Sequence, residues 1–364
     1  MKLIDPNMKN CLIISFTLLV SVYGKTQADM ALWKDSVIGA IYNPATKNVA
    51  FGKKDKQEVY HIFISDSLGN NVKPLTYPGW QEDRHQWAEE WHPSGEYLFC
   101  YVEKNEYMKE KKHKRKSVDA TPGYGAYVDL WLIRKDGSKA WKILDLPNSY
   151  NSGIIHSAIS PDGTKFAWSE RTLAPKFGNM NLLAGGYVMR IADIVLDSVP
   201  HLANIKTFKP GNVDACNELD GISPDNKLIS FYSTFETTNI VTTPIYTLNI
   251  ETGEIKRLTT ESFAQAATFT ANGKQLVYMT GAGCERFPME IQGADWWIMD
   301  VDGANKQRLT YMNLKDHPQS VNHYRLAGSL SFIDETHFLG GVMTHPFGLT
   351  GYTAIVDISK YLKF

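Results

Sequence analysis

The 364-residue chain holds only four cysteines, Cys11, Cys100, Cys216 and Cys284, too few for a disulfide-stapled scaffold. It has no excess of either charge: 38 Lys and Arg stand against 39 Asp and Glu, a formal net charge of −1. A near-neutral chain lacks the basic footprint of a nucleic-acid binder. Long hydrophobic runs are missing too, because the one that starts at Cys11 stops at Val22, short of a bilayer crossing. There is no Gly-x-Ser-x-Gly elbow, no His-Glu-x-x-His and no phosphate-binding glycine loop. These absences remove the motif-borne hydrolase, zinc-protease and nucleotide chemistries; only a site gathered from separate segments remains.

What is present begins with the first residues. Lys2 and Lys9 precede the apolar run, and small and polar residues follow it up to Thr26-Gln27-Ala28. A positive region, a short apolar core and a small residue at the cut read as a secretory signal peptide over residues 1–28. An uncleaved anchor is the other reading of the run, and Met8 is as good an initiator as Met1. Loss of Lys2, Asp5, Lys9 and Lys25 takes the remaining chain, 29–364, to a formal charge of about −3. The expected location is a periplasm or the cell exterior. Three cysteines then remain, so at least one thiol stays free; Cys216 and Cys284 are the pair that could bridge, and Cys100 reads as a small core residue.

The body of the chain repeats. In Ile159-Ser160-Pro161-Asp162-Gly163, proline presets a reverse turn and glycine closes it; Lys165 to Glu170 then alternates as a half-buried strand. The hairpin recurs at Trp91 to Val102, Ile222 to Tyr232 and Phe269 to Met279, with weaker copies at Ile41 to Phe51 and Leu330 to Leu339. A second hairpin stands between copies, as in Asp129 to Ser138 and Asp295 to Thr310. Two hairpins make a four-stranded antiparallel sheet that cannot bury both faces alone. Six such units at a period of roughly 45 to 65 residues predict an all-β, six-bladed β-propeller. The last unit lacks an outer strand, and Met30 to Ser36 is predicted to supply it and close the ring.

The Ser-Pro-Asp-Gly hairpin, the Asp-Leu-Trp-Leu strand at Asp129 to Leu132, the Asp302-Gly303 turn and Arg308-Leu309-Thr310 together resemble the TolB-like six-bladed propellers with WD40-like (PD40) repeats. That resemblance implies a fold; it implies protein-binding scaffolds, sensor domains and a few enzymes alike.

Tight turns gather at one end of such blades and long connections at the other, so the functional surface is expected on the long-loop face. Two groups of residues stand out there. Glu89, Glu90, His156, Glu218, Asp220, His317, His323 and Arg325 lie just ahead of the inner strands, and convergence at the axis would let them share a pocket suited to a divalent cation or a general base; each could equally be solvated by itself. In the loops, Trp80, Arg84, His85 and Trp87 form a candidate ligand surface. The run containing Lys111, Lys112, Lys114, Arg115 and Lys116 is either a solvated excursion or a contact for an acidic partner. Trp91, Trp131, Trp168, Trp296 and Trp297 recur in the repeat and read as inter-blade core; Asp129 and Asp295 read as acceptors for loop amides.

Two functions fit. One is an exported, non-catalytic, monomeric propeller with no cofactor that binds a protein or an anionic glycan. The other is a metal-assisted, lyase-like enzyme on an acidic polysaccharide, with Arg325 holding the sugar acid. Oligogalacturonate lyases are similar in joining a propeller to a histidine-rich metal site, but their closely spaced His-x-His pair is absent. His317 and His323 are six apart and His345 stands before Pro346, so no catalytic role is assigned.

Overall fold

The computed structural model describes residues 27–363 apart from 38, 81, 105–119, 121–122, 124, 177, 180–181, 183, 238–241, 262, 285, 288–290, 321–323 and 345–349. The expected signal segment, the basic run of Lys111, Lys112, Lys114, Arg115 and Lys116, and His323 and His345 therefore lie outside or almost wholly outside the described residues.

Six four-stranded antiparallel sheets form the ring. The inner strands of blades 1 to 6 are Ile41–Asn43, Gln86–Trp91, Gly153–Ile159, Asn217–Ile222, Ala264–Phe269 and Leu326–Phe332. Each contacts the next around the axis, and the sixth contacts the first. Blade 6 takes its outer strand from Asp29–Asp35, which runs antiparallel to Gly351–Asp357 with Asp29 opposite Asp357 and Asp35 opposite Tyr352. The first and last segments of the fold thus share one sheet, as predicted. A short hairpin, Arg286–Phe287 with Ile291–Gln292, sits between the middle strands of blade 5.

Alternating apolar residues on each sheet meet the facing sheet of the next blade, so the core is a ring of inter-blade layers rather than a single centre. Phe99 of blade 2 stacks on Phe166 of blade 3 at 4.4 Å between ring centroids. Trp296 of blade 5 meets Phe338 of blade 6 edge-on at 5.3 Å; a Cβ on Gly340 would stand 2.4 Å from that indole, so only glycine leaves room for it. Trp168 and Trp296 are fully buried and Trp91 is buried, which is the core role expected of them.

The repeat's tight turns explain its spelling. Gly163 and Gly273 take positive φ at the turn, and Asn226 does so where blade 4 has Asn in place of Gly, a substitution the left-handed region tolerates. Asp162 accepts the Ser160 hydroxyl at 2.6 Å and the Thr164 amide at 3.0 Å. Asp225 repeats both contacts in blade 4.

The bridge that Cys216 and Cys284 could have formed is not made. Cys216 and Cys284 are free thiols: Cys216 donates to Glu218 Oε1 at 3.1 Å and Cys284 to Asp295 Oδ2 at 3.2 Å. Each sulfur is committed to a carboxylate in its own blade. Among the described residues, no helix is long and apolar enough to cross a membrane.

Candidate functional site: the axial cavity

The inner strands carry an irregularity that the repeat does not announce. In blades 2 to 6 the pairing between first and second strands slips once, at Ala88/Glu90, Ile154/Ser157, Leu219/Gly221, Gln265/Thr268 and Ala327/Leu330. A bulge inserts an extra residue, changes the face its neighbours present, and frees backbone amides from the ladder. Here the slips encircle the axis, and side chains from one blade reach the freed groups of the next. Glu89 Oε1 of blade 2 accepts the Ser157 amide of blade 3 at 3.1 Å. Ser169 Oγ of blade 3 accepts the Leu219 amide of blade 4 at 2.9 Å. Asp220 of blade 4 is turned toward the amides of Ala266 and Ala267 in blade 5, and Ser230 Oγ donates to the Ala267 carbonyl at 2.6 Å.

Of the expected axial residues, Glu89, Glu90, His156, Glu218 and Asp220 therefore stand within the inner strands, not ahead of them. The doublet Glu89-Glu90 breaks strand alternation and so reads as loop in the sequence; the bulge is what lets both carboxylates remain in a strand. The same holds for His156 and Asp220.

These strands enclose an axial cavity of about 710 Å³, within the range of small-ligand sites. Glu89, Glu90, His156 and Asp220 line it, together with His85, Asp334 and Glu335. Its walls are otherwise mostly apolar, including Ile41, Ile155, Ile222, Phe269, Leu330 and Phe332, and no Lys or Arg is among its described lining residues. Burial pushes the Glu89 carboxyl up to about 8 against the opposing Ser157 amide. Burial, reinforced by Glu89, puts Glu90 well above the ordinary carboxylate range. Burial does the same for Asp220, whose Oδ2 has no hydrogen-bond partner.

Glu218 lies behind this wall as a buried acceptor hub. Its carboxylate faces His156 Nε2 at 3.3 Å, takes the Cys216 thiol, and accepts the Tyr232 hydroxyl. The arrangement fixes the imidazole at the channel edge.

The remaining candidates do not join. His317 stacks on Tyr311 at 4.5 Å. Arg325 donates to the Tyr324 carbonyl at 2.7 Å; neither residue lines the cavity. The expected loop surface also dissolves. Trp80 packs edge-on against Tyr77 and Trp131. Arg84 is buried beside Asp83. His85 Nδ1 accepts the Tyr60 amide at 3.2 Å, and Trp87 meets Tyr60 edge-on at 5.2 Å. Both His85 and Trp87 turn inward and line the channel. Asp129 and Asp295 are structural, as expected: Asp129 accepts the Leu146 amide at 3.0 Å and Asp295 the Met312 amide at 2.7 Å. Tyr101 and Ser157, channel residues absent from the sequence reading, sit in apolar strands where nothing local marks them as polar lining.

No protein-family model matches the chain, and no functionally described protein matches it in sequence. Solved structures do resemble it. A puromycin-hydrolyzing peptidase from Mycobacterium tuberculosis is 14% identical with a TM-score of 0.52, over 89% of this chain and 42% of that one. TolB from Acinetobacter baumannii is 16% identical with a TM-score of 0.47, over 95% of this chain and 68% of that one. The fold is that of a six-bladed β-propeller. At these identities the likeness is one of architecture, and it extends to under half of the peptidase. Within this six-bladed ring, the axial cavity is where chain segments far apart in sequence bring ionisable groups together.

Proposed function

We propose that the protein is an exported, non-catalytic propeller that binds a protein partner across its long-loop face, at the mouth of the axial channel. The observation that carries this reading is the use made of the channel's polar groups. Glu89 is spent on the amide of the next blade, Asp220 is turned to the bulge of the next, and Glu218 is surrounded by His156, Cys216 and Tyr232. These contacts hold a rigid ring, and rigid rings present loops for recognition.

An acidic polysaccharide is poorly served by this channel. Five carboxylates line it with only His85 and His156 as basic groups among the described lining residues, and Arg325 stands elsewhere. With no Lys or Arg among the described lining residues, the axis offers no fixed cation to hold the sugar acid of the lyase-like alternative.

In the native host, a photo-crosslinking residue replacing Tyr150, exposed in the connection before blade 3, should give protein adducts. The same residue replacing Leu68, exposed in a tight turn of blade 1, should give none. Adducts from Leu68 alone, or from neither position, would overturn the assignment of the binding face.

A further inference from the structure

Ala28, the small residue at which the signal segment is expected to end, is built into the ring. It is 1% exposed and packs in the seam between blades 5 and 6, in one apolar cluster with Trp296, Leu309, Met312, Phe338 and Ile358. Its amide donates to the Leu309 carbonyl at 2.8 Å. Its carbonyl accepts the Gln319 side-chain amide at 2.8 Å, and Oε1 of the same glutamine accepts the Tyr311 amide at 2.8 Å. Leu309 follows the outer strand of blade 5, Gln307–Arg308. Ala28 therefore ties Asp29–Asp35, the strand that completes blade 6, to the neighbouring blade.

A cut after Ala28 would undo these contacts. The buried Leu309 carbonyl and the Gln319 amide would each lose a partner, and an unsatisfied buried group costs more than a hydrogen bond gains. The apolar cluster would lose a methyl group and keep the void. A new α-amino group on Asp29, ordinarily charged up to about pH 7.7–8.0, would stand at the head of the closing strand. The ammonium of Lys360 is already there, paired with Asp29 Oδ2 at 3.2 Å, so two positive charges would meet.

The chain offers an earlier small residue. Gly24 is the first one beyond the apolar run that ends at Val22, and a small residue just past such a run is what a signal peptidase reads. A cut there leaves Lys25, Thr26 and Gln27 ahead of Ala28.

We infer that the processing site is the Gly24–Lys25 peptide bond and that Ala28 is retained as part of the ring. Hydrolysis breaks that bond: water gives its hydroxyl to the Gly24 carbonyl carbon, which becomes a carboxylic acid, and its remaining proton to the Lys25 nitrogen, which becomes a free amine. The inference rests on the export half of the proposed function and is independent of the partner at the long-loop face.

N-terminal sequencing and intact mass of the protein recovered from its native host test this. The expected first residues are Lys-Thr-Gln-Ala, and Gly24→Leu should leave the precursor uncut. A chain that begins at Asp29, or at any other residue beyond Lys25, overturns this inference alone. A wild-type chain that keeps its first 24 residues overturns this inference and the export reading together, and wild-type processing of Gly24→Leu overturns the assignment of the bond. A second measurement isolates the role of Ala28: released from fusions, a chain starting at Asp29 should melt roughly 3 °C below one starting at Lys25. Equal melting of the two would overturn the structural ground for keeping Ala28.

Discussion

At the residue scale, the buried carboxylates have opposite effects depending on their partners. Asp295 is fully buried but saturated: it accepts the Met312 amide at 2.7 Å and the Thr310 hydroxyl at 2.9 Å, and pairs with Arg308 at 2.7 Å. Asp295→Ala strands that arginine in a nearly closed site, and removing one partner of such a pair costs about 3–5 kcal/mol. The urea midpoint should fall accordingly at constant slope; a loss under about 1 kcal/mol would show the cluster to be solvent-screened. Glu89 is the opposite case, since its folded pKa, raised to about 8, lies above the ordinary value of 4.5. Between those two pH values the folded state binds more protons than the unfolded one. The group's contribution is therefore complete below about 4.5 and is lost as pH rises through about 8. Glu89→Gln keeps an acceptor for the Ser157 amide and removes the titration. The wild-type melting temperature should decline from pH 5 to 8.5 more steeply than that of the variant, and parallel profiles would contradict the burial argument.

At the scale of elements, the ring depends on one strand that comes from the far end of the chain. Asp29–Asp35 covers the edge of Gly351–Asp357 along its whole length, and Thr353 Oγ1 donates to the Val37 carbonyl at 2.8 Å to fix the entry. Deleting Asp29–Asp35 leaves that edge bare. The melting temperature should drop by on the order of 10 °C, and the exposed edge should promote aggregation. Unchanged melting would mean that blade 6 is stable with three strands. This strand was legible in the sequence because the count of strands was: the last repeat ended one short, and Met30 to Ser36 stood unpaired. The inner-strand bulges were not legible. A bulge is a two-to-one pairing between strands, and Glu89-Glu90 or Ile155-His156 looks the same within its own strand whether or not the partner slips. Glu89, Glu90, His156 and Asp220 therefore line the axis from within strands, where the sequence reading had placed them in loops.

At the scale of the whole molecule, what the residues could announce and what the ring had to decide separate cleanly. The turn chemistry of Ser160-Pro161-Asp162-Gly163, the alternation after it, and its six recurrences are local, and local rules suffice to give four-stranded units that must stack and close. The core tryptophans and the amide-accepting Asp129 and Asp295 belong to the same local grammar, since repetition marks them as structural. Closure decided the rest. It brought Glu89, Glu90, His156 and Asp220 to one cavity and left His317 and Arg325 outside it. It turned His85 and Trp87 inward and held Cys216 and Cys284 on separate carboxylates. These outcomes depend on distances between blades, and such distances follow from how whole sheets pack around an axis, which no stretch of the chain encodes by itself.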